Sequence, residues 1–184
     1  MNKIKQLFSG IYRYFYPIDL VTMYKRMGVE IGENCKFQFG VTIDHSHYWH
    51  INIGNNVTLA PKVHILAHDA STKLHLGYTR IGRVKIEDGV FIGASSIVLP
   101  GVSIGSNSII GAGSVVTKSV PKDMVAAGNP AKIICSLDDY LSRKRLEFEQ
   151  VPKFGEEYTL RAAITQNKKK YMNDILEDGF VYVE

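Results

Sequence analysis

The chain has little cysteine and no long hydrophobic run. Cys35 and Cys135 are its only cysteines, they lie far apart, and no CxxC or CxxH spacing accompanies them. This excludes a disulfide-stapled scaffold and indicates a reducing compartment, so we expect a cytoplasmic protein. A stretch of about 18 apolar residues is absent, as is an apolar core of signal-peptide length near the start. We therefore expect a protein that is neither membrane-spanning nor secreted.

The chain also lacks the combination of basic and aromatic motifs that is typical of nucleic-acid-binding proteins. Its net charge is +4 and its pI is near 9.0. Much of the positive excess lies in SRKR at 142–145 and KKK at 168–170, where we expect solvated helices. The charge suits a polyanionic small molecule, and we expect no nucleic-acid partner.

Glycine, by contrast, is plentiful, and a six-residue repeat accompanies it. Sixteen glycines stand against six prolines, concentrated between residues 28 and 128, where an aliphatic or aromatic residue returns at every sixth position. These positions are Ile31, Phe37, Ile43, Ile53, Leu59, Ile65, Ile86, Ile92, Val98, Ile104, Ile110 and Val116. An amphipathic helix needs apolar spacings of three and four, and an alternating strand needs no regular glycine. The pattern predicts a parallel β-helix with three hexapeptides in each triangular coil.

The repeat is interrupted twice. The step from Ile43 to Ile53 is ten residues, which inserts extra residues around DHSHYWH, and the step from Ile65 to Ile86 is 21. We therefore expect a loop at about 67–85 that leaves the β-helix. His68 and Asp69 stand where this loop departs, and a loop that leaves a rigid scaffold is a common place for chemistry.

Three segments follow from this organisation. We predict an N-terminal cap segment at 1–27, a β-helix domain at 28–135 and a helical extension at 136–184, with one helix after Ser136 and a charged helix at about 159–177. Covering the ends of the β-helix is the favoured role of the flanking segments. The alternative for residues 1–27 is peripheral membrane contact, because basic residues alternate there with apolar ones.

Several stretches carry a resemblance to a known family. They are Ile53-Gly54-Asn55-Asn56-Val57, then LAPKVHILAHD, and then VFIGASSIVLPGVSIGSNSIIGAGSVVTKSVPKDMVAAGNPAK. Residues 28–135 resemble the hexapeptide-repeat acyltransferases, in particular the maltose, galactoside and polysaccharide O-acetyltransferases. The resemblance implies a mainly β fold, a left-handed parallel β-helix with an excursion loop and C-terminal α-helices. It also implies a homotrimer with active sites between subunits, acetyl-CoA as the co-substrate, and no required metal.

The resemblance also assigns roles around the acceptor. His68 matches the catalytic base, and imidazole suits this role because its ordinary pKa is close to neutral. The implied mechanism is direct acetyl transfer in a ternary complex, without an acyl-enzyme. Gln38 and Asp44 match acceptor-binding residues, although Gln38 is one methylene longer than the family's asparagine and Asp44 matches only after a short shift. We also expect Asp69, next to the base, to contact the acceptor.

On the donor side, the resemblance implies five contacts. Ala94 and Ala112 offer backbone groups to the pantetheine arm, Thr117 and Lys118 approach the nucleotide end, and Lys132 lies near the phosphates. Small residues let the thin arm approach the backbone, and ammonium groups favour phosphate charge. An alternative for Ala112 is a purely structural position in the β-helix.

The chain departs from the family at two positions of the donor side. The family often has tryptophan where Phe91 stands and arginine where Cys135 stands. Phe91 keeps an apolar wall, whereas Cys135 removes one expected phosphate contact.

The remaining histidines allow a rival interpretation. His45, His47 and His50 resemble a cluster of metal ligands, and the gamma-class carbonic anhydrases hold zinc with histidines on this same fold. That alternative leaves the ending GAGSVVTK and AGNPAK unexplained. We therefore expect no metal site, and we expect the DHSHYWH insertion to lie near the acceptor pocket.

Other loop residues are candidates of second rank. We expect His64 to lie at the surface, whereas His75 lies in the loop within reach of substrate. Tyr78, Arg80 and Arg83 suit stacking or ion pairing with a glycan or a nucleotide diphosphate, and solvated side chains without a role are the alternative.

Three functions remain open at this stage. The favoured one is an O-acetyltransferase that acts on a sugar or bacterial surface polysaccharide, because HDASTKLHLGYTRIGRVK most resembles enzymes that decorate such glycans. The alternatives are an N-acetyltransferase of an amino-sugar nucleotide and a non-catalytic trimeric β-helix scaffold. Release of the product by mild base separates an ester from an amide, and the activity of His68→Ala separates an enzyme from a scaffold.

Overall fold

The structure is a computed structural model that describes residues 19–176 and 179–184. The chain divides into two units, one ending at Leu137 and one covering Asp138–Glu184. Most of the predicted N-terminal segment at 1–27 lies outside the described residues. The two alternatives for this segment, capping and membrane contact, therefore stay predictions. Within the described ranges, no helix has both the length and the apolar character needed to cross a bilayer.

The first unit begins with helix α1 (Leu20–Met27). Asp19 caps its N-terminus by accepting a hydrogen bond from the backbone N–H of Val21 at 3.2 Å. Tyr24 is buried, and its hydroxyl donates to the Val41 carbonyl at 3.2 Å while accepting from the Ile43 N–H at 3.1 Å. These bonds tie the helix to the coil that leads into the first break of the repeat.

Short strands build the rest of this unit. They are β1 (Glu30–Ile31), β2 (Lys36–Phe37), β3 (Thr42–Ile43), β4 (Ile51–Ile53), β5 (Thr58–Leu59), β6 (His64–Ile65), β7 (His68–Asp69), β8 (Arg80–Ile81), β9 (Val84–Ile86), β10 (Phe91–Ile92), β11 (Ile97–Val98), β12 (Ser103–Ile104), β13 (Ile109–Ile110), β14 (Val115–Val116), β15 (Met124–Ala127) and β16 (Lys132–Ser136). Three parallel sheets run β1-β4-β9-β12, β2-β5-β10-β13-β15 and β3-β6-β11-β14, and β16 joins the second sheet antiparallel to β15. The three sheets form the faces of a triangular prism.

The register of the sheets matches the sequence repeat. Ile86 in β9 is paired with Ile104 in β12, a step of 18 residues that equals three hexapeptides. Ten sixth-position residues are buried: Ile43, Ile53, Leu59, Ile65, Ile86, Ile92, Val98, Ile104, Ile110 and Val116. The prediction of a mainly β, parallel β-helix is therefore confirmed.

Both breaks of the repeat occur at the same corner of the prism. Ile43 and Ile65 are paired in neighbouring coils, and the chain leaves the prism after each of them. Residues 44–50 contain a 3₁₀ turn at Tyr48–His50, and residues 66–83 contain β7, a short helix α2 (Lys73–Leu76) and β8, which pairs antiparallel with β7. Two neighbouring coils therefore place their extra residues side by side.

The predicted loop at about 67–85 ends slightly earlier in the structure. The backbone N–H of Gly82 donates to the Ala67 carbonyl at 2.9 Å and so closes the base of the loop. Val84 is buried and begins β9, because its side chain continues the apolar interior of the prism.

The second unit contains most of α3 (Leu137–Gln150), then β17 (Lys153–Phe154), α4 (Gln166–Ile175) and β18 (Tyr182–Val183). The helix predicted at about 159–177 is shorter than expected. A 3₁₀ turn at Leu160–Ala162 ends in the left-handed residue Ala163, and Thr165 then caps α4. β17 and β18 pair in parallel, and Phe154 packs against Tyr158 with ring centroids 4.4 Å apart.

Candidate active site

The imidazole of His68 is held by a carboxylate from the coil beside it. His68 lies in β7 and is one-third exposed, whereas the Asp44 side chain, which follows β3, is fully buried. His68 Nδ1 lies 2.5 Å from Asp44 Oδ2. An ionised carboxylate only accepts hydrogen bonds, so Nδ1 carries the proton and Nε2 is the basic nitrogen. This is the arrangement that a general base requires.

The first break of the repeat wraps the chain around Asp44. Its Oδ1 accepts from the backbone N–H groups of Ser46 at 2.9 Å and His47 at 3.1 Å. Its Oδ2 accepts from the N–H groups of Ala67 at 2.9 Å and His68 at 3.0 Å, besides the imidazole. Burial would raise the pKa of Asp44, but the hydrogen bonds from His68 and the backbone outweigh it and lower the pKa below its usual value. Asp44 therefore stays ionised beside the base.

This geometry bears on the expected contact between Asp44 and the acceptor. Both oxygens already accept bonds from inside the chain, so an acceptor hydroxyl would have to displace one of these donors. The structure favours a positioning role for Asp44 toward His68. The sequence contains a signal for this pair. Asp44 comes directly after the repeat position Ile43, and His68 comes three residues after the repeat position Ile65. These two isoleucines are paired in neighbouring coils.

His68 opens onto a cleft of about 530 Å³. Its polar lining includes Asp69, Arg80 and Thr117, and its apolar lining is formed by Leu66, Ala70, Leu99 and Pro100. Asp69 Oδ1 accepts from the Ser71 N–H at 2.8 Å, and hydrogen bonds from Ser71 lower the pKa of Asp69. The cleft therefore combines a base, an ionised acceptor of hydroxyl protons and a guanidinium. Such a set suits a polyhydroxylated substrate.

The predicted site residues fall on two different corners of the prism. The corner after β3, β6, β11 and β14 carries Asp44, His68, Asp69, Thr117 and Lys118. The corner after β2, β5, β10 and β13 carries Gln38, Ala94 and Ala112, and Lys132 lies in β16 at the edge of the sheet that ends there. A single chain therefore does not bring Gln38 and the two alanines to the cleft of His68.

The coils approach closely at the second corner. The Ala94 carbonyl accepts from the Gly113 N–H at 2.8 Å, and a Cβ on Gly93 would lie 2.5 Å from the Ala112 nitrogen. Only glycine fits at position 93, whereas Ala112 and Gly113 beside it are exposed. The result is a corner with accessible backbone, which suits a thin ligand.

The DHSHYWH insertion brings one histidine to the base. The His47 ring lies 5.1 Å from the His68 ring, whereas His45 Nδ1 is engaged by the Ile43 carbonyl at 2.8 Å. The predicted rival cluster of His45, His47 and His50 is not the group that the structure assembles. Ligand atoms of Asp44, His47 and His68 lie within 4.8 Å of one another. The Asp44 oxygens are already occupied by N–H donors, so this set does not call for a metal ion.

The remaining candidates are distributed around the loop. His64 and His75 are both exposed, and neither lines the cleft of His68. Tyr78 is exposed on the loop, and Arg83 lines a second cleft together with Trp49. No role was predicted for Trp49 from the sequence, although the DHSHYWH insertion that contains it was expected to lie near the acceptor pocket.

Comparisons with known proteins agree with this architecture. The family model described as hexapeptide repeat of succinyl-transferase matches residues 83–118. The chain is 34% identical over 139 residues to a galactoside O-acetyltransferase of Escherichia coli strain K12, covering 74% of this chain and 68% of the relative. It is 35% identical over 164 residues to the protein CapG of Staphylococcus aureus, covering 85% and 89%.

Solved structures show the same likeness. A galactoside acetyltransferase in complex with coenzyme A has a TM-score of 0.53 and 31% identity, covering 66% of this chain and 71% of that one. A hexapeptide-repeat acetyltransferase from Vibrio cholerae, complexed with acetyl-CoA, has the same TM-score and identity, covering 58% and 59%. A polySia-specific acetyltransferase has a TM-score of 0.50 and 32% identity, covering 58% and 50%. The predicted left-handed β-helix is confirmed, and the chain belongs to the hexapeptide-repeat acetyltransferases.

Proposed function

We propose that this protein transfers the acetyl group of acetyl-CoA to a hydroxyl of a sugar or bacterial surface polysaccharide, with His68 as the general base. The observation that carries the proposal is the His68–Asp44 pair at a cleft, because its buried carboxylate fixes Nδ1 and leaves Nε2 basic. The galactoside and polySia acetyltransferases among the similar proteins support a glycan acceptor.

His68, Asp44 and Asp69 have different roles in the proposed reaction. Nε2 takes the proton of the acceptor hydroxyl as its oxygen bonds to the acetyl carbon, and the imidazole later returns that proton to the departing sulfur. The ionised Asp44 stabilises the imidazolium that exists between these two transfers. Asp69 orients the acceptor by accepting from its hydroxyls. Direct transfer in a ternary complex needs no acyl-enzyme.

Acetyl-CoA supplies the acetyl group as an activated thioester. We assign the pantetheine arm to the corner at Ala94 and Ala112, because the coils approach closely there at Gly93 and because Ala112 and Gly113 are exposed. Lys118 and Lys132 are exposed ammonium groups that suit the phosphates, and Thr117 lines the cleft of the base.

The two-corner arrangement also supports a homotrimer. The base lies on one corner, whereas Ala94 and Ala112, assigned to the pantetheine arm, lie on another, so a second copy of the chain is needed to complete a site. Leu74, Leu76 and Tyr78 are exposed on the loop and offer an apolar surface to a neighbouring subunit. Light scattering after size-exclusion chromatography is expected to give a mass of three chains.

CoA release, followed with a thiol reagent, tests the function. Purified protein is incubated with acetyl-CoA and a panel of mono- and oligosaccharides, beside His68→Ala and the control His64→Ala, which removes an exposed histidine outside the cleft. We expect acceptor-dependent release by the wild type and the control, and a loss of about 100-fold or more in His68→Ala. Release of acetate from the product by mild base identifies an ester rather than an amide. Absence of both CoA release and acetyl-CoA binding would leave the scaffold alternative.

A further inference from the structure

A second cleft of about 390 Å³ lies on the face formed by β4 and β9. Its lining includes Trp49, His50, Asn52, Arg83 and Lys85, and it shares no residue with the cleft of His68. Trp49 comes from the first break of the repeat, and Arg83 comes from the end of the second. The same two insertions that build the catalytic cleft therefore also build this one.

Trp49 presents an apolar ring surface to this cleft. It is 58% exposed, although tryptophan is usually well buried. Its position is fixed by neighbouring rings, with centroids 5.4 Å from His47, 5.3 Å from Tyr48 and 5.6 Å from His50. An exposed but fixed aromatic ring in a cleft is suited to packing against the apolar C–H face of a sugar.

Arg83 provides an uncommitted positive charge. Lys85 is paired with Glu87 at 2.8 Å, and Glu30 accepts from Asn52 at 2.6 Å. Within residues 19–176 and 179–184, no hydrogen bond or ion pair engages the Arg83 guanidinium. A guanidinium binds a carboxylate through two parallel hydrogen bonds. Glu30 brings one negative charge to the same cleft, so the lining favours a sugar with a single carboxylate at Arg83 and hydroxyls elsewhere.

A row of rings connects the two clefts. His47 lies between the base and Trp49, with its centroid 5.1 Å from His68 and 5.4 Å from Trp49. Each step is comparable to the length of one pyranose residue. A glycan whose hydroxyl reaches His68 can thus extend along His47 and place a neighbouring sugar on Trp49.

We propose that the second cleft binds a carboxylate-bearing sugar of the acceptor, next to the residue that is acetylated, with Trp49 against its ring and Arg83 on its carboxylate. This inference rests on the proposed function and narrows it, because it makes the acceptor an acidic oligomer or polymer rather than a free monosaccharide. The cleft then sets specificity without touching the reacting atoms.

Tryptophan fluorescence tests the binding directly, because Trp49 is the only tryptophan in the chain. The protein is titrated with short oligomers of hexuronic acid or sialic acid and with the same oligomers after reduction of their carboxyl groups. We expect a change in emission with the acidic oligomers and about tenfold weaker binding of the reduced ones. Arg83→Gln should abolish this preference. The control Arg145→Gln changes an exposed arginine of α3 that does not line the cleft and should keep the preference.

Transfer kinetics provide the second arm. Trp49→Ala should raise KM for the oligomer about tenfold with little change in kcat, while Trp49→Phe, which keeps a ring, should retain most of the affinity. The two arms separate the two proposals. An emission change without CoA release keeps the cleft and overturns acetyl transfer to these glycans. CoA release with neutral monosaccharides, without an emission change by any acidic oligomer, overturns the cleft and keeps the transferase.

Discussion

In the proposed mechanism, the base His68 depends on a single carboxylate. Among the residues that the structure describes, Asp44 is the only side chain hydrogen-bonded to His68 Nδ1, and it also orders the turn that follows it through Ser46 and His47. Asp44 thus has two proposed functions: it orients the base, and it orders the first insertion of the repeat. The first function leads to a prediction for activity, and the second leads to a separate prediction for stability.

For activity, Asp44→Asn should lower kcat by about 100-fold or more while KM for acetyl-CoA stays nearly unchanged. If the amide oxygen stays on Nδ1, the neutral side chain no longer stabilises the imidazolium that forms when His68 takes a proton. If the amide NH2 group turns toward Nδ1 instead, it favours the tautomer with the proton on Nε2 and so removes the base. Steady-state CoA release measures the effect. Asp174→Asn, on the exposed surface of α4, is the control. An Asp44→Asn variant with wild-type kcat would show that Asp44 does not position the base.

For stability, the lowered pKa of Asp44 predicts a definite dependence on pH. The folded-state pKa lies below the unfolded value of about 3.9, so the carboxylate stabilises the fold above that value. This stabilisation is lost as the pH falls from the unfolded pKa through the folded one. Asp44→Asn should therefore cost about 2 kcal/mol at neutral pH, and the difference should shrink below about pH 4.

Urea unfolding of the wild type and Asp44→Asn across a pH series measures this difference. The acidic part of the series is taken from about pH 5 downward, so that it brackets the unfolded pKa of Asp44. A free-energy difference that stays constant from neutral to acidic pH would contradict the assignment of a lowered pKa.

Among the elements, each two-residue strand from β10 to β14 has one buried residue and one that is less buried. In β13, Ile110 is completely buried, whereas its neighbour Ile109 is only half-buried. The two positions therefore form a matched pair with the same side chain and the same strand.

Ile110→Ala should lower the free energy of unfolding by about 2–5 kcal/mol, because it leaves a cavity between two coils. Ile109→Ala should cost clearly less, since its side chain loses little burial. Thermal or urea unfolding of both variants measures the difference. Equal losses at the two positions would contradict the inward assignment of the six-residue repeat.

The elements also show what sequence could and could not predict. The repeat predicts the strands and the buried column, because a position that returns every six residues faces the same interior in each coil. It does not predict α2 or the β7–β8 pair, since these depend on contacts inside the loop such as the Gly82–Ala67 hydrogen bond. The repeat also does not predict the ring contacts of Trp49, because these contacts form only when the 3₁₀ turn is folded.

At the scale of the whole molecule, the two-corner arrangement predicts that active sites are shared between chains. His68→Ala removes the base of the first corner, and Ala112→Arg is expected to block the second corner by filling it with a long side chain. Each variant alone should be inactive. A mixed trimer contains some interfaces where a wild-type first corner meets a wild-type second corner, because the two corners come from different copies.

Co-expression of the two variants with different affinity tags, followed by purification through both tags, therefore tests the assembly. Every trimer that carries both tags contains two copies of one variant and one copy of the other, so one of its three sites combines two intact corners, and CoA release should recover to about a third of the wild-type rate. Mixing the separately purified proteins, which leaves the trimers unexchanged, is the control and should stay inactive. A doubly tagged complex without activity would place the whole site within one chain and would reassign the donor groove to the corner of His68.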